Sequence, residues 1–215
     1  MTACRWAAMA VVGGLGAVAL SSCATLNQEQ CLAGDWAGIG YADGTNGYGP
    51  GRLSAHQEAC ARHGVSPDPV AWDRGRQRGL VVYCTPENGF RVGMQGGRST
   101  GVCPRELEAA FSYGIEDGLL VHAAVNRVND LVRIRDEADQ RARQLEAEIR
   151  REEDRLADSA LSDAERDAVR ERLRRLRRDR DRALDDSRDV GPELRWAEAE
   201  VDNLRSRFRR QYGSW

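Results

Sequence analysis

Leu156-Ala157-Asp158-Ser159-Ala160-Leu161-Ser162-Asp163-Ala164-Glu165 is the stretch that decides the fold, because it separates two long helical stripes and restarts the second. Ser162 and Glu165 stand three apart ahead of an apolar series, which is the capping-box pattern of a helix N-terminus. Upstream, apolar or small residues recur at heptad spacing at Ala124, Val128, Leu131, Ala138, Ala142, Leu145, Ile149 and Leu156, with Arg135 and Glu152 as polar interruptions. Downstream, the stripe continues at Val169, Leu173, Leu176, Arg180, Ala183, Ser187, Val190, Leu194, Ala197, Val201, Leu204, Phe208 and Gln211. It keeps phase across Gly191-Pro192, so that break reads as a kink in one returning arm. Folding about residues 159–162 sets Ile149 against Leu173, Leu145 against Leu176, Leu131 against Val190 and Val128 against Leu194. Each arm comes to about 50 residues, or about 75 Å, which returns Phe208 and Trp215 to the head. The alternatives are a three-helix bundle with a sharp turn at Gly191 and an oligomeric coiled coil.

Working outward, composition changes sharply near residue 118. Nearly all Gly, Pro and Cys of the mature chain precede Leu119, as do Trp36 and Trp72, whereas Arg, Asp, Glu, Ala and Leu dominate after it. The expected organisation is a leader at 1–22, an anchor and linker at 23–30, a Cys- and Gly-rich head at 31–118 and a coiled-coil hairpin at 119–215. The expected fold class is mainly α. All basic residues are Arg, and the formal net charge is −2, so no global attraction to polyanions follows. Arg170 to Arg182 is interleaved with acids and reads as a solvated helix face, not a nucleic-acid site.

The first residues form an export signal: Arg5, an apolar run from Ala7 to Leu20 too short to span a bilayer, and Leu20-Ser21-Ser22-Cys23, which has the form of a lipobox. Cys23 is then the first mature residue and the point of lipid attachment. Several acyl chains at about 0.8 kcal/mol per buried methylene anchor permanently where one would not. Ala24 after the cysteine favours the outer membrane, with the protein facing the periplasm.

An even set of four further cysteines, Cys31, Cys60, Cys84 and Cys103, implies disulfides in an exported protein. Four cysteines allow three pairings. Sequential closure, Cys31 with Cys60 and Cys84 with Cys103, suits a small domain of successive local units. The rival is zinc ligation by His56, Cys60 and His63, spaced along one helix face.

Within the head, Arg52 to His63 reads as a helix stopped by Gly64. Asp68-Pro69 is an N-cap with a first-turn proline, starting a helix to about Tyr83. TPENGFRVGMQGGRSTGV after Cys84 reads as an irregular loop or weak hairpin, and Cys103-Pro104 opens the next helix. A repeat runs through this region: Trp72-x2-Gly75-x3-Gly79, Phe90-x2-Gly93-x3-Gly97 and Phe111-x2-Gly114-x3-Gly118, with Trp36, Gly40 and Gly44 one residue out of step. A glycine costs about 1 kcal/mol relative to Ala inside a helix, so a repeated pair calls for close approach of something. One reading is tight helix packing. The other is a ligand groove floored by Gly75 and Gly79 and walled by Trp36, Trp72, Tyr83 and Phe90, fit for a peptide or glycan strand of the cell wall.

The blocks CLAGDWAGIGYADGTNG, RLSAHQEACARHG, PDPVAWDRGRQRGLVVYCTPENGFRVG and GVCPRELEAAFSYGIEDGL resemble a YfiL-like family of bacterial lipoproteins that carry a domain of unknown function. The resemblance covers Cys31 to about Leu119, followed by a coiled-coil tail. It implies an envelope lipoprotein with a cysteine-containing head and supplies no catalytic residues.

Chemistry-bearing patterns are weak. No GxxxxGK[ST] phosphate loop occurs in the sequence, and its GxSxG string, Gly97-Arg98-Ser99-Thr100-Gly101, lies in the turn-rich segment after Cys84 without the strand-to-helix setting of a nucleophile elbow. His56, His63 and His122 are the neutral-pH bases, each read as a packed or solvated residue. Asp35 and Asp43 form a conceivable carboxylate pair, but Asp35 fits better as the cap of a helix beginning at Trp36. The expectation is a non-catalytic protein without cofactor or metal and without nucleic acid. Its expected partners are the membrane, an unidentified envelope protein or the cell wall, with a homo-oligomer conceivable.

Overall fold

The computed structural model describes residues 25–215, so the leader and Cys23 lie outside the described residues. Seven helices follow one another, with no strand among the described residues. They are α1 (Gln28–Ala33), α2 (Trp36–Thr45), α3 (Arg52–Ala61), α4 (Pro69–Tyr83), α5 (Pro86–Met94), α6 (Arg105–Leu156) and α7 (Asp163–Tyr212).

Local chemistry sets the helix starts. Asn27 and Gln30 form a capping box on α1, Asp35 accepts from Gly38 N on α2, and Asp68 accepts from Val70 N and Ala71 N on α4. Gly34 and Gly64 take the left-handed conformation that ends α1 and the α3 segment. The segment after Cys84 is a helix, not the expected loop or hairpin. Thr85 accepts from Asn88 N and Pro86 takes the first turn, so α5 has a full start signal. Its glycines, which read as breakers, are contact points.

Those glycines build two zipped helix pairs. On α2, a Cβ added at Gly40 would lie 2.0 Å from the Trp72 carbonyl oxygen, and one at Gly44 would lie 2.2 Å from that of Arg76. The contact is reciprocal: Gly75 of α4 meets the Ala37 carbonyl oxygen at 2.0 Å and Gly79 meets that of Tyr41 at 2.2 Å. Contacts advance along both helices together, so α2 and α4 run parallel. The same arrangement joins α5 to α6, where Gly89 and Gly93 meet the carbonyls of Phe111 and Ile115, and Gly114 and Gly118 meet those of Pro86 and Phe90. Backbone lies on backbone, which only glycine allows.

Two disulfides, in the sequential pairing, join the elements around these pairs. Cys31–Cys60 ties α1 to α3, and Cys84–Cys103 ties the end of α4 to the start of α6, with Cα separations of 5.5 and 5.7 Å. Each contributes about 3 kcal/mol by loop closure. Because Cys60 sulfur is bonded to Cys31, the His56–Cys60–His63 zinc alternative falls.

The tail is the antiparallel hairpin. Leu145, Ile149, Leu173 and Leu176 share one buried cluster, and Leu131, Leu194 and Ala197 share another with Val128 and Val190 at its edge. The Ser162–Glu165 capping box is present at the start of α7. Helix α7 runs unbroken through Pro192, whose missing N–H leaves one carbonyl to solvent; the three-helix bundle is thereby excluded. Two polar interruptions are paired across the arms, Glu152 with Arg172 at 2.9 Å and Arg180 with Glu146 at 3.1 Å, while Arg135 pairs with its neighbour Asp136. Helix α6 passes without a break through residues 118 and 119, so head and hairpin share one helix.

The hairpin closes on its own base. Leu204 and Phe208 are buried with Phe90 and Val121, and Tyr212 stacks on Phe90 at 4.2 Å between ring centroids. Trp215 packs edge-on against the same ring at 6.0 Å. One aromatic residue of α5 thus receives the end of the chain.

Candidate functional site

The six residues expected to line a ligand groove do not line an open one. Trp36 and Trp72 are buried in a core with Leu26, Cys31 and Cys60. Gly75 and Gly79 are covered by the backbone of α2. Tyr83 lies against Gly47 and the Phe111 ring, and Phe90 belongs to the hairpin base. Burial pushes the Tyr83 phenol above its ordinary range. The groove reading is therefore corrected: the floor that glycine leaves open is filled by a neighbouring helix.

What the fold assembles instead is a buried polar row under the N-terminal segment. Asp43 on α2 and His56 on α3 are both buried, and His56 Nε2 lies 2.7 Å from Asp43 Oδ2. Trp72 Nε1 donates to the same oxygen at 2.8 Å. The Arg52 guanidinium approaches Asp43 Oδ1 at 3.6 Å and stacks over the Tyr48 ring at 4.3 Å. On the other side, His56 Nδ1 lies 2.7 Å from Thr25 Oγ1, and that hydroxyl lies 3.1 Å from the Ala55 carbonyl oxygen. Three helices and the N-terminal segment thereby place polar groups around one imidazole, while Arg52 Nε is buried beside them without a hydrogen-bond partner.

The sequence Thr25–His56–Asp43 has the residue types of a nucleophile, base and orienting acid. Thr25 Oγ1 is held between the Ala55 carbonyl and His56 Nδ1, and its single proton can be directed to either. The row holds the N-terminal segment down. Leu26 next to it is buried in the head core, and Asn27 caps α1. Residues 25–30, expected as a linker, are thus built into the head.

Residue reasoning treated His56 as a lone helix histidine and missed this row. Asp43 and His56 are 13 apart and Thr25 and His56 are 31 apart, and no local periodicity links them. Asp35 and Asp43 have separate duties, one as a helix cap and one inside the row. His63 has no part in the row, and His122 bonds the Met94 carbonyl at 3.0 Å, closing the turn after α5.

Residues 35–120 match the protein family described as Protein of unknown function (DUF2799). The match opens on the Asp35 cap and ends in α6, so it takes in both glycine-zipped pairs and the Asp43–His56 pair while leaving the hairpin outside. No curated protein and no solved structure matches this chain.

No helix among the described residues is long and apolar enough to cross a membrane. Exposed apolar side chains occur on the head, at Leu32, Val70, Val81 and Val82, and along the hairpin. Trp196 is 60% exposed, with the Arg127 guanidinium 5.1 Å from its ring centroid.

Proposed function

We propose that this chain is an envelope lipoprotein of the YfiL-like kind, acylated at Cys23, with a structural or protein-interaction role and no catalytic step. The observation that carries the reading is the position of Thr25 and Leu26. They are packed into the head two residues after the lipobox cysteine. Two residues span at most about 7 Å, so an acyl group on Cys23 holds the head directly on the lipid headgroups, with no tether between them. The paired cysteines accord with an oxidising compartment. Ala24 favours the outer membrane, with the head in the periplasm.

In this reading the head is a rigid footing and the hairpin is the arm that meets a partner. Arms of 52 and 50 residues reach about 75 Å. Because α6 belongs both to the glycine-zipped head and to the hairpin, the arm is set at a fixed angle to the head.

The test is to express the wild type and Cys23→Ala in a host with lipoprotein processing, then separate membranes. The wild type is expected in the membrane fraction as a processed chain, and the variant as a larger precursor retaining residues 1–22. Equal processing of both would contradict the anchor.

A further inference from the structure

The two sides of the proximal hairpin differ. On one side α5 covers α6 through Gly114, Gly118 and His122. The other side is open. It carries Tyr113, Leu120, Arg127 and Ile134, spaced by seven residues on α6, a spacing that keeps them in one line along a supercoiled helix. Tyr113 is 67% exposed, Leu120 48% and Ile134 44%. Trp196 of α7 joins this line, because Arg127 both stacks on its ring and pairs with Glu193 at 3.9 Å. From Tyr113 to Ile134 the stripe covers 21 residue steps, about 31 Å.

Charge marks the same side. The two α6 rows of this face contribute Glu116, Asp130 and Glu137, and the facing rows of α7 contribute Asp186, Asp189, Glu193 and Glu200. Against these seven carboxylates stand Arg127, Arg207 and Arg210 on the same rows, together with Arg133, which pairs with Asp130 and Glu137. On the opposite rows the charges balance, with Asp136, Asp139, Glu198 and Asp202 against Arg188, Arg195, Arg205 and Arg209. An apolar seam with an acidic rim is thus confined to the uncovered face.

We propose that this face receives a basic amphipathic helix of another protein, about 20 residues long, packed as a third strand of the coiled coil. Heptad-spaced side chains on α6 match apolar knobs at the same repeat on such a helix. Trp, Tyr and Arg are the side chains that dominate interface energies. The carboxylate rim selects Arg or Lys on the flanks of the incoming helix and repels acidic ones. A second copy of this chain does not fit, since the same face repeats the same charge. The distal arm of a second copy is also unsuited, because among the described residues no large apolar side chain is exposed between residues 141 and 182. The proposal rests on the reading of the hairpin as an interaction arm and does not require the lipid anchor.

The experiment titrates the purified full chain with a synthetic 21-residue helical peptide bearing Leu at heptad core positions and Arg on the flanks. A control peptide carries Glu in place of Arg. Expected is saturable one-to-one binding of the Arg peptide, none of the Glu peptide, and at least tenfold weaker binding to the L120E/I134E double variant. That variant adds negative charge, so purely electrostatic attraction would tighten it. Both positions are exposed, and an unchanged helical circular dichroism spectrum checks that the variant folds. Binding that is unchanged or tighter in L120E/I134E, binding of the Glu peptide, or no saturable binding overturns the proposal. The acylation of Cys23 is read from the N-terminal peptide, so anchor and docking face can fail separately.

Discussion

Tyr212 Oη donates a 2.7 Å hydrogen bond to the Asp117 carboxylate, joining residues 95 apart at the base of the hairpin. Burial, reinforced by that carboxylate, pushes the phenol well above its ordinary value of about 10. A folded-state value raised above the unfolded one gives stability that is fully present below pH 10 and lost as pH rises through the folded value. The chain has no Lys, so tyrosines dominate titration in that range. Denaturant midpoints should fall between pH 10 and 12 and fall less in Tyr212→Phe; equal slopes in both proteins would refute the assignment.

The zipped helix pairs predict sharply different costs for similar substitutions. Gly75→Ala sets a methyl 2.0 Å from the Ala37 carbonyl oxygen and requires α2 and α4 to separate, whereas Gly51→Ala meets nothing within 4 Å. Overpacking against backbone costs about 1–3 kcal/mol or more. Thermal denaturation should show Gly75→Ala well below wild type and Gly51→Ala near it.

Reading the residues in order recovered the hairpin almost to its ends, because heptad spacing is local information and Ser162-x2-Glu165 marks the restart. It also recovered α3, α4 and the cysteine pairing. It failed at α5, where four glycines between Asn88 and Gly97 outweighed the Thr85-Pro86 start signal. There the glycine cost is offset by backbone contact with α6, which no local window contains. The groove failed for the same reason: close helix packing and ligand binding both ask for bare glycine, and only the partner helix tells them apart. The Asp43–His56–Thr25 row was invisible because its members come from three separate segments.

Removing Cys84 and Cys103 together, as Ser, opens a 19-residue separation and should lower stability by about 3 kcal/mol. The hairpin register is set by leucines far from that bond, so urea unfolding should lose its midpoint in the head while the helical signal of α6 and α7 persists to higher denaturant. Coincident loss of both signals would contradict this independence.

Spin labels at residues 145 and 176 test the hairpin as an intramolecular pair. These positions share one buried cluster, so labelled chain diluted with unlabelled chain should keep a distance within about two helix diameters, each 10–12 Å. Dilution that abolishes the short distance would make the contact intermolecular.

The anchor is tested most directly by mass spectrometry of the protein taken from membranes. Arg52 is the first basic residue after Cys23, so trypsin should release Cys23–Arg52 as the N-terminal peptide. We expect it, after reduction, to carry a thioether-linked diacylglycerol and an amide-linked acyl chain on Cys23. An N-terminus at any other residue, or an unmodified Cys23, would contradict the account.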